Sequence, residues 1–220
     1  MARRSRGAGA SKAERTPSPR FVVFDVGGVL IHWDDRLVMD RAARELGEPP
    51  ALLQELLLRF RPPLQSGRID LDAFWDRFAK ELGRPISRAI RESWWKLLEK
   101  RARPQRAVVA WAAELRRAGL RTALFSNTEA SHRRYFSRAW SRGFDPHLLS
   151  YQLRATKPSP LAFHRARARL GVPAAQICLF DDLPNNVRAA REAGWNAQTF
   201  PPIHGVPSAR RYLRSLGWIP

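Results

Sequence analysis

Three short apolar runs in this chain each stop at polar or acidic residues, and that repeated ending limits the fold more than any other feature. The runs are "FVVFD" (21–25), "LRTALFSN" (120–127) and "QICLFDD" (176–182). Each has the length and the turn-bounded apolar character of a strand buried on both faces. Between and after them apolar residues recur at helical spacing: "QRAVVAWAAELRRAG" (105–119), "EASHRRYFSRAW" (129–140), "SPLAFHRARARLGV" (159–172) and "PNNVRAAREAG" (184–194). "HLLSYQL" (147–153) reads as a short strand and "NAQTF" (196–200) as another. From about residue 104 onward helix and strand alternate, which predicts an α/β fold with a parallel sheet and right-handed crossovers. No internal repeat is visible.

Residues 35–100 follow a different pattern. "RLVMDRAARELG", "PALLQELLLRF", "LDAFWDRFAKELG" and "SRAIRESWWKLLEK" each carry a helical apolar stripe. Gly47, Pro49–Pro50, Pro62–Pro63, Gly67 and Gly83 separate them, so the second helix is expected to stop before Pro62. Ser87 gives a partial capping signal for the fourth. The expected organisation is a basic, disordered tail over 1–20, a core made of 21–34 and 101–220, and a helical insert over 35–100.

Composition narrows the function classes. At 44% hydrophobic residues the chain can bury a core. Its one cysteine, Cys178, sits in an apolar run, so no intrachain disulfide is available and the thiol reads as a small core residue. A reducing, cytoplasmic setting fits. No apolar run approaches the ~20 residues of a membrane span, and "MARRSRGAGASKAERTPSPR" is not followed by the apolar stretch of a secretory signal. The formal charge of +19 invites nucleic acid as a partner. Residues 1–20 contribute +5 (Arg3, Arg4, Arg6, Lys12, Arg15 and Arg20 against Glu14), and the remaining +14 is spread along the chain. No helix-turn-helix, zinc-finger or RNA-recognition signature accompanies it. General basicity is therefore preferred over specific nucleic-acid binding. Oligomeric state is not legible.

In open α/β sheets the ligand lies at the carboxyl ends of the strands. Here those ends carry Asp25, Ser126–Asn127 and Asp181–Asp182. Any one of them alone reads equally well as a turn or helix cap; three coincident ends read as a site. Asp25 and Asp182 on neighbouring strands would make a two-carboxylate site suited to Mg²⁺, a hard cation that takes one or two carboxylates plus substrate phosphate oxygens. Without a cation the pair would repel, and one carboxyl would stay protonated. Lys157, in "ATKPSP" just before a helix, is a candidate phosphate ligand returning to this cluster.

These elements in this order resemble the haloacid dehalogenase (HAD)-like hydrolase superfamily: Asp25-Val26-Gly27-Gly28-Val29-Leu30, then "TALFSN" with Ser126, then Lys157 in "KPSP", then "CLFDDLPNNVRAAREAG". The resemblance spans nearly all of 21–200. It implies a Rossmann-like parallel sheet core flanked by helices, with the insert at 35–100 as an α-helical cap. It implies Asp25 as the nucleophile that forms an aspartyl-phosphate. Mg²⁺ would be held by Asp25, the Gly27 carbonyl and Asp182, with Asp181 or Asn186 in the outer shell. Ser126, the Asn127 backbone and Lys157 would hold the phosphoryl oxygens.

One position departs from the family's usual phosphatases, which carry a second Asp two residues after the nucleophile as general acid and base. Here Gly27 stands there. A branch of bacterial sugar-phosphate phosphatases of the glucose-1-phosphate type also carries D-x-G, with motifs similar to "FSNT" and "LFDDLPNN". The expected function is a Mg²⁺-dependent phosphomonoesterase acting on a small phosphorylated metabolite such as a sugar phosphate. The alternatives are a catalytically weak member that binds through its basic surface and a metal-independent 2-haloacid dehalogenase. In the insert, Trp33, Asp35, Arg36, Arg59, Trp75, Trp94 and Trp95 are candidate pocket residues, with core packing the better reading for the tryptophans. His32 receives no role.

Overall fold

The computed structural model describes residues 20–32, 35–93 and 102–220. The tail expected over 1–20, apart from Arg20, lies outside them, as do Trp33, Trp94, Trp95 and the side chains of Asp35 and Arg36.

The expected sheet is present. β1 (Phe21–Phe24), β4 (Arg121–Ser126), β5 (His147–Leu149), β6 (Ile177–Asp181) and β7 (Asn196–Thr199) form one five-stranded sheet in the order β5-β4-β1-β6-β7. Every pairing is parallel. The three central strands are apolar on both faces because both are covered. Phe21, Val23, Phe125 and Leu179 pack into one hydrophobic cluster, which includes Phe163 of α7 (Pro160–Leu170) and Val187 of α8 (Pro184–Glu192). Val22, Phe24, Leu124 and Phe180 pack into another, with Trp111 of α5 (Arg106–Arg117) and Leu213 of α9 (Gly205–Ser215). Cys178 is buried in that second cluster, as its apolar setting predicts, and burial pushes its thiol far up.

Two short strands, β2 (Ile31–His32) and β3 (Arg103–Pro104), pair antiparallel where the chain leaves and re-enters the core. Between them lie α1 (Asp35–Leu46), α2 (Pro50–Gln65), α3 (Leu71–Glu81) and α4, helical over the described residues 88–93. These helices have a core of their own, built on Phe60, Phe74, Trp75 and Phe78. Asp70 caps α3 by accepting from the Ala73 amide at 2.8 Å. Ser87 Oγ accepts from the Ile90 amide at 3.3 Å.

Three local expectations are corrected. α2 does not stop before Pro62 but continues through Pro62 and Pro63 to Gln65. A proline inside a helix removes the bond to the carbonyl four residues back. The carbonyls concerned, of Leu58 and Arg59, belong to exposed residues that water can serve. Residues 129–140 do not form an α-helix but 3₁₀ turns over Ala130–Ser137 and Ala139–Ser141. There Ser137 Oγ donates to the Arg134 carbonyl, and Ser141 Oγ donates to those of Phe136 and Arg138, so hydroxyls take acceptors an α-helix would use. The strand read over 147–153 covers only His147–Leu149 before the helical turn α6 (Ser150–Leu153).

Candidate active site

Asp25 follows β1 directly, and its amide donates to the Phe180 carbonyl at 2.8 Å, which ties the strand end to β6. The chain then turns sharply. The Leu30 and Ile31 amides both donate to the Val26 carbonyl, at 3.0 and 2.8 Å. Gly28 sits at φ +76°, and a Cβ built there would lie 2.2 Å from Asp182 Oδ2. Only glycine meets both conditions, the left-handed backbone and the contact with the acid. At Gly27 a Cβ would meet nothing within 4 Å. Gln105 braces the turn: its amide donates to the Leu30 carbonyl at 2.8 Å and its Nε2 to the Gly28 carbonyl at 3.1 Å.

Lys157 arrives from the segment before α7 and organises the acidic residues. Its Nζ lies 2.6 Å from Asp25 Oδ1 and 2.6 Å from Asp181 Oδ2, and donates to the Phe125 carbonyl at 2.9 Å. All three protons of the ammonium are thereby used. Asn127 fixes the lysine backbone in both directions, donating Nδ2 to the Lys157 carbonyl at 2.8 Å and accepting its amide at Oδ1 at 2.9 Å. Burial alone would depress the ammonium, but Asp181 and Asp25 outweigh it and hold it above the usual lysine range.

Asp181 is fully buried and fully engaged. Besides Lys157, its Oδ1 accepts from the Leu183 amide at 3.0 Å and from Asn186 Nδ2 at 2.9 Å. Asp182 is half-buried, and burial followed by the neighbouring Asp181 raises its carboxyl. Asp25 is pushed up to about 7, by burial first, with Lys157 opposing and Asp181 and Asp182 adding to the rise. Asp25, Asp181 and Asp182 each offer an oxygen within 4.8 Å of the others, the only such metal-capable group among the described residues. The donors are all hard oxygens and carry excess negative charge, which suits Mg²⁺.

A cavity of about 380 Å³ opens over this cluster. Asp25, Gly27, Ser126, Asn127, Lys157 and Asp182 border it, and so does Asn186. Every residue the sequence put forward for the site thus meets here, apart from Asp181 just beneath. The insert candidates fare differently. Trp75 is buried in the helical core, Arg59 pairs with Glu81 at 3.0 Å on the surface, and His32 is exposed on β2; none borders the cavity. The helices contribute Arg61 and Gln65 instead, and the loop after β4 contributes Glu129, His132 and Tyr135. None of these was singled out from the sequence. Gln65 Nε2 donates to the Asn127 carbonyl at 3.3 Å, joining α2 to the strand end.

The haloacid dehalogenase-like hydrolase family model matches residues 19–194, a span containing all of these elements. The chain belongs to the haloacid dehalogenase-like hydrolases. Solved structures agree on the fold of this HAD-like hydrolase. A predicted HAD-like family hydrolase from Porphyromonas gingivalis superposes with a TM-score of 0.74 at 25% identity, over 89% of this chain and 98% of the other. A HAD family enzyme from Bacteroides thetaiotaomicron, crystallised with magnesium and inorganic phosphate, gives 0.71 at 20% identity over 84% and 96%. The L-2-haloacid dehalogenase from Xanthobacter autotrophicus gives 0.59 at 21% over 81% and 76%. No curated protein matches the chain by sequence. No helix among the described residues is long and apolar enough to cross a membrane.

Proposed function

We propose that this HAD-like hydrolase is a Mg²⁺-dependent phosphomonoesterase acting on a small phosphorylated metabolite such as a sugar phosphate, as in the D-x-G branch. The observation that carries the reading is the crowding of Asp25 and Asp182 with Asp181 around the Lys157 ammonium, at the floor of a cavity also bordered by Ser126 and Asn127. A carboxylate attacking an anionic phosphate must have its charge offset, and Mg²⁺ beside Lys157 would supply that.

Asp25 attacks phosphorus and the alcohol leaves, giving an aspartyl-phosphate that water then hydrolyses. Lys157 keeps Asp25 oriented, and its positive charge, close to Asp25, offsets the charge that builds there. The Ser126 hydroxyl and the Asn127 amide hold the remaining phosphoryl oxygens. Asp181 positions Lys157, with Asn186 and the Leu183 amide fixing Asp181 in turn. Asp25, the Gly27 carbonyl and Asp182 would hold Mg²⁺, which when bound neutralises charge at the phosphoryl group. The insert, through Arg61 and Gln65, forms the cap that faces the rest of the substrate.

Hydrolysis of p-nitrophenyl phosphate tests this. Turnover should require Mg²⁺ and fall by more than about a thousandfold in Asp25→Asn. Chloride release from 2-chloropropionate without metal, with no phosphate release, would instead make Asp25 attack carbon.

A further inference from the structure

An alcohol leaving phosphorus departs with an electron pair and needs a proton, and the water that follows must lose one. Gly27 can do neither. Among the described residues, the titratable and charged groups bordering the cavity are Asp25, Asp182, Lys157, Arg61, Glu129, His132 and Tyr135. Asp25 is committed to attack, Asp182 belongs to the carboxylate cluster, and Lys157 is bound to two acids and a carbonyl. A guanidinium does not give up its proton, and a phenol is a poor acceptor near neutrality.

Glu129 and His132 remain, and they form a unit. Glu129 is 1% exposed, and its Oε1 lies 3.5 Å from His132 Nδ1. The same nitrogen is 3.3 Å from Thr128 Oγ1. Thr128 is fixed in turn, its amide donating to Ser150 Oγ at 2.8 Å. The imidazole therefore sits at the cavity wall with one nitrogen directed at a buried carboxylate. That arrangement holds in place a ring of the kind able both to give and to take a proton.

We propose that His132 carries the proton in both half-reactions and that Glu129 is its positioning residue. In the first step an Asp25 oxygen bonds to phosphorus while the bond from phosphorus to the alcohol oxygen breaks. The electron pair stays on that oxygen, which takes the proton from the imidazolium. In the second, water bonds to phosphorus and gives a proton to the imidazole. The bond from phosphorus to Asp25 breaks, its pair returns to the carboxylate, and inorganic phosphate leaves with the imidazolium restored. This rests on the phosphomonoesterase reading.

Aryl phosphates of graded leaving-group acidity test it, because p-nitrophenolate departs readily unprotonated and phenolate does not. In His132→Ala, kcat/KM for phenyl phosphate should fall ~10²–10⁴-fold, and for p-nitrophenyl phosphate less than about tenfold. Adding Gly27→Asp to His132→Ala should recover much of the phenyl phosphate rate. Glu129→Gln should displace one limb of the pH profile of kcat/KM, and Glu129→Asp should restore it. Equal loss on both esters, or no loss on either, would overturn the proposal while leaving the phosphomonoesterase intact. A wild-type protein inert to both esters would sink the phosphomonoesterase reading instead. His132→Gln, followed by thermal unfolding, separates a folding defect from a lost proton carrier.

Discussion

Gly28 and Asp25 show how tightly single positions are set in this site. At Gly28 an added methyl would meet Asp182 Oδ2 at 2.2 Å in a left-handed backbone that costs an L-residue roughly 1–2 kcal/mol. Gly28→Ala should therefore lower stability by about that amount and displace Asp182. Under the proposed Mg²⁺ site, any rise in Tm on adding Mg²⁺ to wild type should shrink or vanish in this variant. Gly27→Ala, with open space and an ordinary φ, should leave folding within about 0.5 kcal/mol of wild type. Asp25 gives a pH signature. Its carboxyl is raised from 3.8 to about 7 on folding, so the native state holds that proton more tightly than the unfolded chain. Its contribution to stability is complete below pH 4 and lost as pH rises through about 7. In metal-free protein, the Tm of Asp25→Asn minus that of wild type should grow between pH 4 and 7, and Mg²⁺ should suppress the growth. Asp25 and Asp182 are legible in the sequence because each closes an apolar run, and the glycines because they follow Asp25 directly. Glu129 and His132 are not, because nothing in "TEASHRRYF" distinguishes a buried carboxylate–imidazole pair from an exposed helical turn. Glu129 is buried in the extended residue before the 3₁₀ turn, a placement that helical periodicity does not encode.

Helix α2 and turn α6 explain how the insert reaches the sheet. Read alone, Pro62–Pro63 ends α2 at Phe60, which leaves Arg61 in a break and Gln65 in a loop. The helix instead runs on, and its last turn delivers both side chains to the cavity. Proline's lost bonds fall on an exposed face, and that orientation is a tertiary property invisible in the residue string. The join is secured from the core side by Ser150, whose Oγ donates to the Gln65 carbonyl at 2.6 Å and to the Thr128 carbonyl at 2.9 Å. Arg154 at the end of α6 donates to the Gly67 carbonyl. Ser150→Ala leaves buried carbonyls under-satisfied and should destabilise by about 1–3 kcal/mol in urea unfolding. It should also raise KM more than it lowers kcat, because it loosens the insert rather than Asp25. β2 pairing with β3 went unread for a simple reason: its partners are two residues each and stand on either side of the whole insert.

The parallel sheet and its two-faced core are legible in patterns that repeat over many residues, whereas the strand order comes from the structure and the use of the molecule's charge does not follow from its amount. A formal +19 gives the chain a net positive field. Such a field draws any small anion toward the surface. The cavity that receives it contains Lys157 and Arg61 but also the carboxylates of Asp25 and Asp182, so local binding is not a simple reflection of net charge. Long-range attraction acts on encounter and is screened within roughly 10 Å at 0.1 M salt, while contacts inside the cavity are screened far less. For a phosphate dianion, kcat/KM should therefore fall about three- to tenfold between 20 and 200 mM monovalent salt at constant Mg²⁺, with kcat at saturation nearly constant. A kcat that falls in parallel would mean salt acts within the site, on the Lys157 cluster or on the cation. A kcat/KM indifferent to salt would mean the positive surface plays no part in bringing substrate to Asp25.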